Sequence, residues 1–243
     1  MKPIRKIIAT GLCAAALVGA SVLGTMAYFT DNDAVTNTFT VGKVDISLDE
    51  LDVDDSTANA ERDTENKYHL LPGHEYVKDP TVHIEAGSEN CYVFVTVDNG
   101  LAAIEMDEND GTKQKTGYKK IAGQMNNNNW SVLKDADNND VTYKDLTVYV
   151  HAGNGTAGNA DYKANVIVKD SSQNTDLTVF SYFIIDGDTV IGGTNNGTAQ
   201  QPNTAGQYYI NDFQNEEIKV IAYAVQADGF DTALAAWQAT YGK

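Results

Sequence analysis

The sequence predicts an all-β protein, an antiparallel β-sandwich of jelly-roll type with long polar loops and a short C-terminal helix. Three observations predict it. Val, Ile, Tyr and Phe gather in short runs, the clearest of which alternates apolar and polar residues, as a half-buried strand does. Segments rich in Gly, Asn, Asp and Thr separate the runs at irregular spacing, the composition of turns and surface loops. Helical spacing of apolar residues in the mature chain is confined to its end.

Residues 1–27 read as an export signal. Lys2, Arg5 and Lys6 form its positive end, residues 7–23 its apolar stretch, and Thr25 and Ala27 put small side chains at the −3 and −1 positions of a cleavage site. The expected cut falls between Ala27 and Tyr28. A retained transmembrane helix is the competing reading, disfavoured by Gly11, Gly19, Ser21 and Gly24 and by the small-residue site that follows. Cys13 does not mark a lipoprotein, because Leu12 stands where a small residue belongs. Residues 28–243 then form one domain, with 28–40 a separable N-terminal segment.

Residues 41–48 alternate with period two and read as the first strand. Residues 82–84 and 92–97 follow, with Leu71-Pro72-Gly73 a turn before them, since Pro presets φ and Gly accepts positive φ. Leu146–His151, 164–169, 177–185 and Ile218–Gln226 are further strands, rich in Val, Ile, Tyr and Phe. Residues 180–185 are the most continuously apolar and are expected at the centre of a sheet. Residues 207–210 suggest a short strand. In 231–241, Leu234, Trp237 and Tyr241 share a helical face and Asp231 can cap the helix. Residues 49–67, 126–129, 153–159 and 192–206 read as surface loops.

Charge excludes some partners. The signal holds three of the 17 basic residues and none of the 34 acidic ones, leaving the mature chain with 14 against 34, a net charge of −20. Such a surface repels nucleic acid and anionic membranes and attracts cations. Acid or calcium is accordingly expected to favour any self-association. Cys91 alone survives cleavage and lies in a strand-like run, where a small buried hydrophobe is expected rather than a reactive thiol.

Motifs for catalysis are scarce. His74-Glu75-Tyr76-Val77-Lys78 begins like a zinc-protease helix, but lacks the second histidine and follows a Pro-Gly turn. His69, His74, His83 and His151 read as structural or surface residues. No G-x-S-x-G elbow occurs. Neither catalytic residues nor a resident cofactor are therefore expected. Calcium is the metal to consider, at residues 107–111 and 135–140, where Asp and Asn alternate. Neither segment fits an EF-hand loop, and polar turns are the plainer reading. The sequons at Asn129, Asn154 and Asn196 carry little weight in Asn-rich loops.

The run Ala27-Tyr28-Phe29-Thr30-Asp31, then Asn37-Thr38-Phe39-Thr40-Val41-Gly42-Lys43-Val44-Asp45-Ile46, resembles the start of the TasA/camelysin family. These are exported proteins of Gram-positive bacteria whose signal is cut by a SipW-type signal peptidase. The resemblance is close over residues 20–50. Leu71-Pro72-Gly73, Lys78-Asp79-Pro80, residues 88–95 and residues 221–237 resemble a subgroup, whereas about 100–205 carries no family motif. The resemblance implies a jelly-roll domain, a place in the extracellular matrix or at the cell surface, and fibres joined by donor-strand complementation. It implies residues 28–40 as the donor, with Tyr28 and Phe29 as anchors and Phe39 and Val41 entering the first strand. The implied partners are the signal peptidase, further copies of the chain, and other matrix proteins or glycans. Two other readings stand beside the structural one. One is a camelysin-like metallopeptidase; the other is an adhesin or glycan binder using Trp130 and the Asn- and Tyr-bearing loops.

Overall fold

The computed structural model describes residues 30–31, 43–54, 61–106, 117–155, 163–170, 172–194 and 201–242. Its strands in chain order are β1 (Thr30–Asp31), β2 (Ile46–Leu51), β3 (Arg62–Asp63), β4 (Glu75–Val77), β5 (Thr81–Ile84) and β6 (Cys91–Asn99). Then come helix α1 (Ile121–Asn127), β7 (Trp130–Val132), β8 (Thr142–Tyr143), β9 (Leu146–His151) and β10 (Val166–Ile167). β11 (Thr175–Thr178), β12 (Tyr182–Ile184), β13 (Ile218–Gln226) and helix α2 (Ala233–Tyr241) complete the order.

The strands form antiparallel, sandwich-like layers, as the alternation and loop composition predict. The large sheet runs β1-β13-β6-β9-β7, with β10 on β6 and β8 on β9. A second sheet runs β11-β5-β2-β3, and β12 pairs with β4. Residues 91–95 of β6 are buried on both faces of the large sheet. Cys91, Val93 and Val95 enter the core shared with the second sheet, beside Val82, Ile84 and Phe183. Tyr92 and Phe94 point the other way, into a second core under α2 with Tyr223 and Trp237. Period two on a doubly covered strand accounts for the split. Cys91 is a free, buried thiol, and burial pushes its pKa up to about 12, which makes it a core residue rather than a nucleophile.

Leu146–His151 and Ile218–Gln226 are strands with the expected bounds. Three expectations need correction. Residues 177–185 are not one central strand. The chain leaves β5 after Thr178 and joins β4 at Tyr182, and the Gln124 side chain of α1 fills the break. Its Oε1 accepts from the Ser181 N–H at 3.0 Å, and its Nε2 donates to the Tyr182 carbonyl at 2.8 Å. Residues 207–210 give only a parallel bridge from Tyr209 to Val190, then a 3-10 turn over Ile210–Phe213. The cap of α2 is Thr232, not Asp231: its Oγ1 accepts from the Ala235 N–H at 3.1 Å.

Two loop expectations fall as well. Asn126 and Asn127 end α1, Asn128 caps it, and Asn129 turns the chain into β7 at φ 65, a left-handed conformation that Asn tolerates. Asp49, Glu50, Leu51, Arg62 and Asp63 lie in paired strands rather than in a surface loop. Residues 107–111 and Asn196 lie outside the described residues.

Candidate functional site

The N-terminal segment enters the described structure at β1, where Thr30 pairs with Val225 and Asp31 with Ala224. Ala27, Tyr28, Phe29, Phe39 and Val41 lie outside the described residues. β13 pairs with β6 along its whole length, from Ile218 opposite Asn99 to Gln226 opposite Cys91. On its other edge, among the described residues, only Ala224 and Val225 are paired. Among the described residues, Ile218 to Tyr223 therefore have no strand partner on this edge. β2 faces it, bound to β5 from Ile46 to Asp49 and to β3 only at Glu50 and Leu51. A groove of about 1300 Å³ runs between them, lined by Leu48, Glu50, Tyr68, Phe213, Val220 and Ala222 among others. An open edge beside such a groove can accept another strand through main-chain hydrogen bonds.

Two polar clusters hold the second sheet. Alternation along β2 puts Ser47 and Asp49 on one face and Ile46, Leu48 and Glu50 on the other. On the outer face His83 stands between two carboxylates, with Nε2 2.8 Å from Asp49 and Nδ1 2.7 Å from Asp176. Arg62 from β3 binds Asp49 and also Asp79, the latter at 3.0 Å. A neutral imidazole has only one N–H, so two flanking carboxylates require the imidazolium. Burial lowers the pKa of His83, but the hydrogen bonds it donates to Asp176 and Asp49 outweigh it and hold the pKa above its ordinary value. Burial raises that of Asp49, but Arg62 and His83 outweigh it and hold the carboxyl low.

That brace sets a pH dependence. A histidine with a raised folded pKa stabilises fully below the unfolded value, about 6.5, and loses that contribution as pH rises through the folded one. Asp49 acts in the opposite sense, losing its share as pH falls below the ordinary carboxylate range. Ser47, Glu85, Arg62 and Asp79 are the other polar groups on or beside this face. His83→Gln is expected to cost about 1–2 kcal/mol near pH 6, discounted because Asp176 is largely exposed. It should also flatten the decline in stability above pH 6.5. Urea midpoints across pH 5 to 9 check this; a variant that keeps the wild-type slope would assign the slope to other groups.

On the inner face Glu50 is only 5 % exposed. Its Oε2 accepts from Lys78 Nζ at 2.6 Å and its Oε1 from Asn66 Nδ2 at 3.0 Å. Asn66 is held at every polar atom: Nδ2 also donates to the Leu51 carbonyl at 2.9 Å, and Oδ1 accepts from the Val53 N–H at 2.8 Å. Lys78 Nζ also lies 5.8 Å from the Tyr68 ring centroid, within cation–π range.

A model of the camelysin metallo-endopeptidase family matches residues 3–67. The N-terminal part of the chain is camelysin-like. The resemblance read from residues 20–50 is thereby borne out, and the match carries β1, β2 and β3, with Asp49, Glu50, Arg62 and Asn66. No curated protein and no solved structure matches the chain. Among the described residues, no helix is long and apolar enough to cross a membrane.

The name of the camelysin family implies a catalytic metal, and the described residues do not fit one. Both ring nitrogens of His83 are occupied by aspartates. His151 lies edge-on to Trp130, its Nδ1 accepting from the Gly153 N–H at 3.1 Å, and burial holds its pKa below the ordinary value. His74 precedes β4 and Glu75 opens it, so the His74-Glu75 pair does not lie on a helix. Among the described residues no group of three or more His, Cys, Asp or Glu is placed to hold a metal ion, whereas zinc centres converge three or four such ligands. At residues 135–140 the Asp135 carboxylate is turned onto its own loop, accepting from the Asp137 and Asn139 N–H groups at 2.9 and 2.8 Å. Trp130 is 1 % exposed and donates Nε1–H to the Thr178 carbonyl at 2.9 Å. It is a core residue, not a glycan platform.

The edge cluster and the buried triad were not anticipated from sequence. Glu50 carried a signal, since it follows Ile46 and Leu48 on the apolar face of an alternating strand. Asn66 and Lys78 carried none, because each follows a short strand in an irregular segment.

Proposed function

We propose that this chain is an exported structural protein, a matrix-fibre subunit whose copies join by donor-strand complementation. Residues 28–40 of one copy lie along β13 of the next, with Tyr28 and Phe29 as anchors and Phe39 and Val41 leading into the first strand of the donor copy. The observation that carries the reading is the Thr30–Asp31 pairing on β13, beside an edge that is unpaired among the described residues. A strand that kept this register would pair with Tyr223 and continue to Ile218, gaining main-chain hydrogen bonds along that edge. The camelysin-like N-terminus supports export and a place outside the cell. The unfitted histidines weigh against a peptidase, and the burial of Trp130 weighs against a glycan binder built on it.

Electron microscopy of the mature chain tests the proposal, beside a chain lacking Tyr28 and Phe29. Fibres are expected from the former, more readily at low pH or with calcium, which reduce the repulsion of a −20 charge. The shortened chain is expected to remain monomeric in sedimentation. Undiminished fibres from the shortened chain would overturn the proposal.

A further inference from the structure

We propose that Lys78 and Asn66 form an intramolecular isopeptide bond, with Glu50 as its catalytic residue. One carboxylate holds both reacting nitrogens, Lys78 Nζ at 2.6 Å on Oε2 and Asn66 Nδ2 at 3.0 Å on Oε1. The carboxylate is shielded at the wall of the groove: Glu50 is 5 % exposed, and the Lys78 side chain is 11 % exposed. It is also fixed from three directions. Glu50 stands on β2, Asn66 follows β3 and is anchored to Leu51 and Val53, and Lys78 follows β4 with its own N–H on the Ser181 carbonyl at 3.2 Å.

The arrangement supplies what amide exchange needs. Glu50, with Oε2 2.6 Å from Lys78 Nζ, is placed to take a proton from that nitrogen as the new bond forms. Attack requires the freed Nζ to move from Oε2 to near-attack distance of Asn66 Cγ, about 3–3.5 Å. Negative charge then develops on Asn66 Oδ1, which already accepts the Val53 N–H at 2.8 Å, an oxyanion donor in place before reaction. The bond from Nζ to Cγ forms and the bond from Cγ to Nδ2 breaks. One proton passes through Glu50 to the leaving nitrogen, which departs as ammonia, and a second leaves with it as ammonium. Glu50 returns to a carboxylate, and no electrons are transferred to or from an outside agent. The product closes residues 66–78 into a covalent loop beside the groove of β13, in a chain whose mature part has one cysteine and so no internal disulfide. The linkage stands whether or not subunits join through β13.

Mass spectrometry of the purified mature protein tests it directly. The intact mass is expected to fall short of the sequence by one ammonia, about 17 Da. A tryptic digest should yield a branched peptide, uncleaved at Lys78 and joined to residues 63–67. Lys78→Arg and Asn66→Ala should each restore the full mass. A full wild-type mass after prolonged incubation of the folded protein would overturn the proposal. So would the same mass loss in a peptide of residues 63–67 that is not joined to Lys78, which would be a succinimide at Asn66. Both readouts are taken on the wild-type chain and do not depend on a variant folding.

Discussion

Trp237→Ala is expected to destabilise the protein by about 3–5 kcal/mol, the range for truncating a buried aromatic side chain. Trp237 is 2 % exposed and lies at the centre of the second core. Its ring centroid is 5.0 Å from that of Phe94, 5.4 Å from Tyr223, 5.7 Å from Tyr143 and 4.6 Å from Tyr241. Those partners come from β6, β13, β8 and α2 itself, so one truncation loosens four elements. α2 has nine residues, too few to persist without its packed face. Removing the indole therefore uncovers Phe94 and Tyr223 as well as leaving a cavity. Guanidinium unfolding followed by near-ultraviolet circular dichroism measures the loss. Gln238→Ala, on the exposed side of the same helix, should change stability by less than about 0.5 kcal/mol. Equal losses in the two variants would mean that the indole contacts are not what holds α2 in place.

The contrast between Trp237 and Trp130 shows what the sequence could carry. Trp237 lies in a helical repeat with Leu234 and Tyr241, so its inward face is legible. Trp130 directly follows the four asparagines 126–129, where composition speaks for a loop. Its burial depends on β7 pairing with β9 and on the Thr178 carbonyl, 48 residues away in sequence. Strands β9 and β13 were legible because alternation and β-branched residues agree over their whole lengths. Residues 180–185 misled because an apolar run reports burial, not pairing. A crossover between sheets can be as buried as a central strand. Gln124 marks that crossover, and nothing local distinguishes it from any other helical glutamine.

The polar sites divide in the same way. Asp49 and Glu50 are neighbours in one acidic stretch, yet β2 sends them to opposite faces. Asp49 goes to the partly wet side with His83 and Arg62, and Glu50 goes to the dry side with Lys78 and Asn66. Strand alternation predicts that separation once β2 is extended to Leu51. The partners arrive from separate segments, and their convergence is a property of the fold. The open edge of β13 is legible only in part. The apolar run names a strand, but which of its edges lacks a neighbour follows from the order of the sheet.

Glu50→Ala is the second substitution with a large expected effect, a loss of about 3–5 kcal/mol, because a buried ammonium is left without its carboxylate. Lys78 is 11 % exposed on its side chain, so water replaces little of what Glu50 supplied. Replacing both charges, as in Glu50→Leu with Lys78→Met, should recover much of the loss, since an apolar pair of similar volume removes the cost of burying charge. Asn66→Ala separates the ion pair from the covalent linkage. It leaves Glu50 on Lys78 but removes the carbon to which Nζ would bond. If the chain is linked, this variant frees a loop of residues 66–78 in the unfolded state. By the scale for a disulfide closing about 15 residues, the loss would be about 3 kcal/mol. If the chain is not linked, only the hydrogen bonds of Asn66 are lost, about 1 kcal/mol. Unfolding midpoints of the three variants, measured at one pH beside their intact masses, therefore assign the stability of this corner of the second sheet either to charge pairing alone or to charge pairing that has gone on to form a bond.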